Sequence, residues 1–155
     1  MSTNPISVPT SQTLGRIAVG ENAATRSAVL AGRVLYSLIF ILAGLGHFSQ
    51  PTIAYAAQQG VPLASIAVPL SGILAIAGGF SILLGYHARV GAWLLVLFLI
   101  PVTVMMHNFW AVKDAAAAQM QRAMFMKNVA LIGAALLISH FGAGPLSLDS
   151  RSRRT

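Results

Sequence analysis

The sequence predicts an all-α integral membrane protein: a four-helix bundle of up-down topology with both termini cytoplasmic. Three observations predict it. The chain is 56% hydrophobic and 8% charged, whereas a soluble domain carries about 25% charged residues, so it lacks the polar surface to cover itself in water. No Asp, Glu, Lys or Arg occurs from residue 34 to residue 88. The apolar runs, once divided, each approach the roughly 20 residues that a helix needs to cross a bilayer core. At 155 residues the chain has room for one domain.

Residues 1–27 are polar, with Ser, Thr, Asn and Pro near the start. They read as a flexible cytoplasmic tail, with a short surface helix expected around residues 14–19. No short apolar core follows a basic start, so this is no secretory signal peptide. The transmembrane domain is expected at residues 28–143. Its first span covers about residues 28–48. The stretch "SQPTIAYAAQQGVP" then divides the charge-free region and reads as a loop. The second span covers about 62–86. Within it Ser71, Ala75 and Gly79 recur every four residues on one face, with Gly78 and Gly85 nearby. In lipid the hydrophobic effect between helices is weak, and close approach through small residues takes its place.

The turn "GYHARVG" is short, so the second and third spans are antiparallel neighbours. The third covers about 90–107. Pro69 and Pro101 can kink their helices. "DAAAAQMQRAMFM" reads as a helix, capped by Asp114 and either lying along the interface or leading into the fourth span, about 124–141. Residues 144–155 form a basic cytoplasmic tail.

Orientation follows from the cations. One side of the spans carries Arg16, Arg26, Arg33, Arg89, Arg151, Arg153 and Arg154; the other carries Lys113, Arg122 and Lys127. The richer side should be cytoplasmic. The net charge of +7 is scattered around the ends of apolar runs. It reads as a topology signal, and a nucleic-acid partner, which needs a basic patch or arm, is not expected.

The same topology gathers polar residues at the outer ends of the spans. His47 ends the first, His107 and Asn108 end the third, and Lys127 and Asn128 begin the fourth. These five are the candidate ligand-binding residues, with Tyr55 and Trp110 close by in sequence. Ionisable groups at membrane depth are costly and mark function. Such a layer suits a quinone headgroup or a small anion, and it equally suits ordinary interface anchoring. Arg33 shares a helix face with Tyr36, Phe40, Gly44 and His47; it either snorkels to headgroups or turns inward, where His140 is the expected neighbour. Both are assigned structural or secondary roles. His87, in the short turn, should be solvated. No catalytic residue stands out. The chain has no cysteine, which removes disulfides and all-cysteine iron–sulfur ligation. The spacing of His47 and His107 matches no metal motif, so no metal is expected.

Arg33 followed by "LIFILAGLGHF", then "AAQQGVP", "GGFSILLGY", "MMHNFW", "MFMKN" and "GAGPLSLD", resembles the DoxX family of small bacterial membrane proteins. The resemblance covers residues 28–149. It implies four transmembrane helices in a bacterial inner membrane and an association with redox chemistry, named members including a subunit of a thiosulfate:quinone oxidoreductase. It matches Arg33 to an arginine of the first span, and Lys127 and Asn128 to a lysine–asparagine pair of the fourth. Many relatives carry a lysine where this chain has His47, and an acidic residue where it has Ala75, so a buried carboxylate relay is not carried over. The expected function is a non-autonomous subunit of membrane redox metabolism that binds quinone or a redox partner. The alternatives are a non-enzymatic scaffold that docks another protein, and a small-solute permease built as a homo-oligomer.

Overall fold

The computed structural model of the chain describes residues 23–152. Among them lie six α-helices and a 3-10 turn: α1 (Ala23–Gly46), α2 (Gln50–Gln58), α3 (Ala64–Leu84), α4 (Ala88–Met106), the 3-10 turn Phe109–Ala111, α5 (Ala115–Phe141) and α6 (Leu148–Ser152). Four are long and apolar enough to cross a membrane: α1, α3, α5, and α4 with the 3-10 turn. The expected surface helix around residues 14–19 lies outside the described residues.

Two segments differ from those expected, and a third takes one of its two expected arrangements. α1 begins at Ala23, ahead of residue 28. The dividing stretch is a helix, α2, rather than a loop, with proline in its first turn, where the missing N–H has no intrahelical partner to lose. The alanine-rich segment runs without a break into the fourth span. Asp114 caps that helix, its carboxylate accepting from the Ala117 N–H at 2.8 Å. At about 1.5 Å per residue the 27 residues of α5 outreach a bilayer core of about 30 Å, so part of the helix extends past the hydrocarbon.

α3 is the central element. It packs on α1 and on α4, α4 packs in turn on α5, and α2 lies against α3. α3 can hold two neighbours because its backbone is bare where each approaches. A β-carbon at Gly72 would lie 2.8 Å from the Gly44 carbonyl oxygen and 2.8 Å from the His47 β-carbon. One at Gly78 would lie 2.9 Å from the Gly91 carbonyl oxygen. Ala75, Gly78 and Gly79 are buried, while Ser71 is half-buried. Pro69 and Pro101 sit inside α3 and α4 without ending either helix.

Larger side chains fill the interior. Phe40, Ala75, Ile82, Ala92, Leu95, Phe98 and Leu99 form the core. The Phe40 and Phe98 rings meet edge to face at 6.3 Å, joining α1 to α4. The Tyr36 hydroxyl donates to the Leu131 carbonyl at 2.9 Å, joining α1 to α5. The outward faces carry Leu35, Leu42, Trp93, Leu97, Leu137 and Phe141, all exposed. Water would penalise that belt and lipid does not.

One end of the bundle, where the chain turns from α3 to α4, is knotted by Arg33. Its side chain does not snorkel: the residue is 6% exposed. Nη1 donates to the carbonyls of Ala143 at 3.0 Å and Pro145 at 3.4 Å. Nη2 donates to those of Leu146 at 3.0 Å and Leu83 at 3.3 Å. The chain after α5 therefore folds back beneath the α3–α4 turn. Gly85 lets it seat there, with φ +64° and a β-carbon position already filled by Ser147. Asp149 completes the closure. Its carboxylate accepts from the N–H groups of His87 at 2.9 Å and Ala88 at 3.1 Å, capping α4. His140 is exposed and packs on Phe141 with ring centroids 4.8 Å apart, not on Arg33. His87 is exposed, as a turn residue should be.

Two predictions follow from this packing. Gly72→Ala should destabilise the protein by about 1–3 kcal/mol, the usual cost of overpacking. Gly133→Ala, whose β-carbon would meet nothing within 4 Å, should be neutral or stabilising by up to about 1 kcal/mol through helix propensity. Thermal unfolding in detergent compares the two. Arg33→Met leaves four carbonyls without their donor and should cost roughly 3 kcal/mol or more. Arg33→Lys should recover only part of the loss in the same measurement, because one ammonium cannot reproduce a two-pronged fork.

Candidate functional site

At the opposite end, where α2 lies, a cavity of about 470 Å³ opens among the turn after α1, α2, α3 and the end of α4. That volume is in the range of small-molecule sites, about 300–1,000 Å³. Its walls are mostly apolar, from residues such as Ala56, Val61, Val68, Val102 and Met105, and its few polar groups include His47, Tyr55, Ser71 and His107. Concave apolar space with sparse polar groups is the usual character of a ligand pocket.

The backbone contact between α1 and α3 places His47. The residue follows the last turn of α1, and the missing side chain of Gly72 lets its β-carbon approach α3. Its Nδ1 then lies 2.8 Å from the Ser71 hydroxyl oxygen. Ser71 donates its own hydrogen to the Val68 carbonyl at 2.7 Å. With the hydrogen so placed, its oxygen accepts from Nδ1–H. In the neutral ring this leaves Nε2 as a bare acceptor. The ring also packs on Phe98 at 5.6 Å.

His107 repeats the pattern from the other side. It ends α4, and its Nδ1 lies 2.8 Å from the Gln121 carbonyl oxygen, on α5. An amide oxygen only accepts, so Nδ1 donates here too and Nε2 is again the free acceptor. Two imidazoles thus line one cavity, each held through Nδ1 by a partner on a different helix.

The other three candidates do not line this cavity. Asn108 is half-buried at the start of the 3-10 turn, where its carbonyl accepts from Ala111 N at 2.9 Å. Lys127 is exposed. Asn128 is buried on the face of α5 that also carries Leu131, Ile132 and Ala135, toward the bundle interior. Depth gathers all five, and direction separates them. Trp110 packs on Phe109 at 5.2 Å and on Phe125 at 5.9 Å, forming an aromatic cluster at the same end. Arg33 and His140 belong to the far end. Among the described residues no group of three His, Asp or Glu could hold a metal ion.

Ser71 and Gln121, the partners that orient the two rings, were not legible as site residues. Ser71 carried only a packing signal, and Gln121 sat in an alanine-rich helix with no periodic clue. The helix that brings Tyr55 to the cavity did leave a trace: proline near a helix start followed by alanine and glutamine.

The SURF4 family model matches residues 12–154. The chain belongs to the SURF4 family. It is 31% identical over 126 residues to inner membrane protein YphA of Escherichia coli strain K12, covering 79% of this chain and 89% of that protein. It is 32% identical over 123 residues to inner membrane protein YqjF of the same organism, covering 78% and 88%. No solved structure matches. With its four apolar helices, this SURF4-family chain is a multi-pass inner-membrane protein. The expected DoxX membership is corrected by this match, which contains the whole stretch on which the resemblance rested. The shared motifs were small residues within spans and polar residues at their ends. Any small membrane bundle needs those for packing and anchoring, so they do not separate one such family from another. The redox association implied by DoxX membership falls with it.

Proposed function

We propose that this chain is a non-autonomous membrane subunit that holds the polar head of a hydrophobic dihydroxy-aromatic compound, the quinol form of a quinone, in the cavity between His47 and His107. The observation that carries this reading is two imidazoles in one mostly apolar pocket, each spending Nδ1 on a protein partner and leaving Nε2 for a ligand. A quinol offers two O–H donors on one flat apolar ring. An oxidised quinone offers only carbonyl acceptors, which would face acceptors. The apolar walls suit the ring and the start of its tail. The imidazoles would also take up the protons that leave a quinol when it is oxidised, a role that histidine fills near neutral pH.

Short-chain ubiquinol and ubiquinone, titrated separately into the purified protein, test the proposal. The quinol should raise the melting temperature and bind more tightly than the quinone. His47→Phe, which keeps bulk and removes the acceptor, should weaken quinol binding by up to about tenfold, the worth of one hydrogen bond. Equal or absent binding of both forms would overturn the reading.

The orientation is part of the same proposal. Among the described residues Arg26, Arg89 and Arg151 lie at the α3–α4 turn end, and Lys113, Arg122 and Lys127 at the cavity end. Arg33, with Arg16, Arg153 and Arg154 in the flanking sequence, makes the α3–α4 turn end the more basic; we place it, with both termini, in the cytoplasm, so that the cavity opens on the periplasmic side. The chain has no cysteine, so single cysteines report cleanly. In spheroplasts Lys113→Cys should react with a membrane-impermeant maleimide, and Arg151→Cys should react only after permeabilisation. The reverse pattern would invert the topology.

A further inference from the structure

A second concave space lies at the α3–α4 turn end, far from the cavity. It is an open bowl of about 1,030 Å³. Arg26 enters it from the start of α1, Arg89 from the start of α4, and Arg151 from α6. None of the three has a hydrogen-bond or ion-pair partner among the described residues. The bowl's one carboxylate, Asp149, is already committed: both of its oxygens accept from the backbone N–H groups at the start of α4. Among the described residues, three guanidinium groups from three elements therefore face one space against a single carboxylate, which leaves it net positive. Like charges held around a bowl repel one another at a cost that a shared anion removes.

Topology alone does not require this arrangement. Arginines that only mark the cytoplasmic side can splay into water. Here the chain after α5 forms the bowl's floor, through residues 142–147, and that floor is pinned by Arg33 from below. Arg89 runs beside it, its Nε 3.7 Å from where a β-carbon on Gly142 would stand. The wall is apolar: Phe141, Val90 and Leu146 all line the bowl, and they are 73%, 58% and 45% exposed. Phe141 and Val90 sit at the ends of helices long and apolar enough to cross a membrane.

We propose that this bowl binds the phosphodiester headgroup of an anionic phospholipid, with its acyl chains running along Phe141 and Val90. Guanidinium forks suit phosphate oxygens in pairs. The apolar wall favours a lipid over a free anion, since inorganic phosphate has nothing to place there. The site is independent of the quinol cavity and stands whether or not that cavity is occupied.

The experiment is native mass spectrometry of the detergent-solubilised full chain, titrated with phosphatidylglycerol or with phosphatidylcholine of the same acyl length. Phosphatidylglycerol adducts should persist at lower lipid concentration. Arg89→Gln, at an exposed side chain without partners, should weaken them about fivefold, and the Arg26→Gln, Arg89→Gln, Arg151→Gln triple variant roughly a hundredfold, at about one unit of interfacial attraction per arginine. Lys113→Gln, Arg122→Gln, Lys127→Gln removes the same charge from the other end and should leave the preference intact. Equal binding of the two lipids, an unaffected triple variant, or equal loss in the control variant would overturn the proposal. Competition by inorganic phosphate at matched concentration would overturn the lipid assignment in favour of a soluble anion.

Discussion

The approach of bare backbone on α3 to its two neighbours is the constraint on which the rest of the structure depends. In lipid, a leucine gains little by leaving acyl chains for another helix, so attraction must come from contacts too short for any side chain. Gly44 meets Gly72 on one side of α3, and Gly78 meets Gly91 on the other. The two contacts make α3 the middle of a layer rather than one corner of a loose ring. They also explain the distribution of bulk. Where backbones touch there is room for nothing, and where they diverge Tyr36, Phe40 and Phe98 fill the gap with rings and one hydroxyl donor.

The ends of the bundle meet the polar demands of helix termini in opposite ways. At the α3–α4 turn the protein satisfies most of its own groups, with Arg33 Nε left over. Arg33 collects carbonyls that the end of α3 and the chain after α5 would otherwise leave without donors, and Asp149 takes up amides at the start of α4. A buried charge is tolerated there because four acceptors surround it. At the α2 end the satisfaction is half complete. Each histidine spends one nitrogen on a protein partner and keeps the other. One end reads as a closed structural knot and the other as a pocket with unspent acceptors.

Much of this was legible in the sequence, and the limits were physical. The absence of charge from residue 34 to residue 88 marked lipid as the solvent, and the spans followed from length. Asp114 before an alanine run marked a helix start, and the small residues of the second span marked its packing face. Periodicity assigns a residue to a face but does not name what the face meets. Arg33 and Ala143 are 110 positions apart, and no local pattern joins them. His140 shared the right end of the bundle and still pointed elsewhere. Depth along the helices predicted a layer containing His47, His107, Asn108, Lys127 and Asn128. Rotation about each helix then divided it, and a shift of one position, 100° of turn, separates exposed Lys127 from buried Asn128. The family resemblance failed for a related reason: it rested on residues that bilayer physics selects in many unrelated bundles.

The packing contact and the cavity prove to be the same place. Gly72 is bare because α1 must come close, and that bareness also seats His47 beside Ser71. Ser71 in turn sends its hydrogen to its own helix backbone, which favours the tautomer that donates from Nδ1 and leaves Nε2 as an acceptor. A residue chosen for helix association therefore sets the chemistry of a side chain on the neighbouring helix. A cavity built this way takes the position of His47 from a backbone-on-backbone contact between two helices. That is the condition under which two imidazoles on separate elements can hold a fixed relation to each other, and it ties the reading of His47 to structure rather than to any borrowed family role.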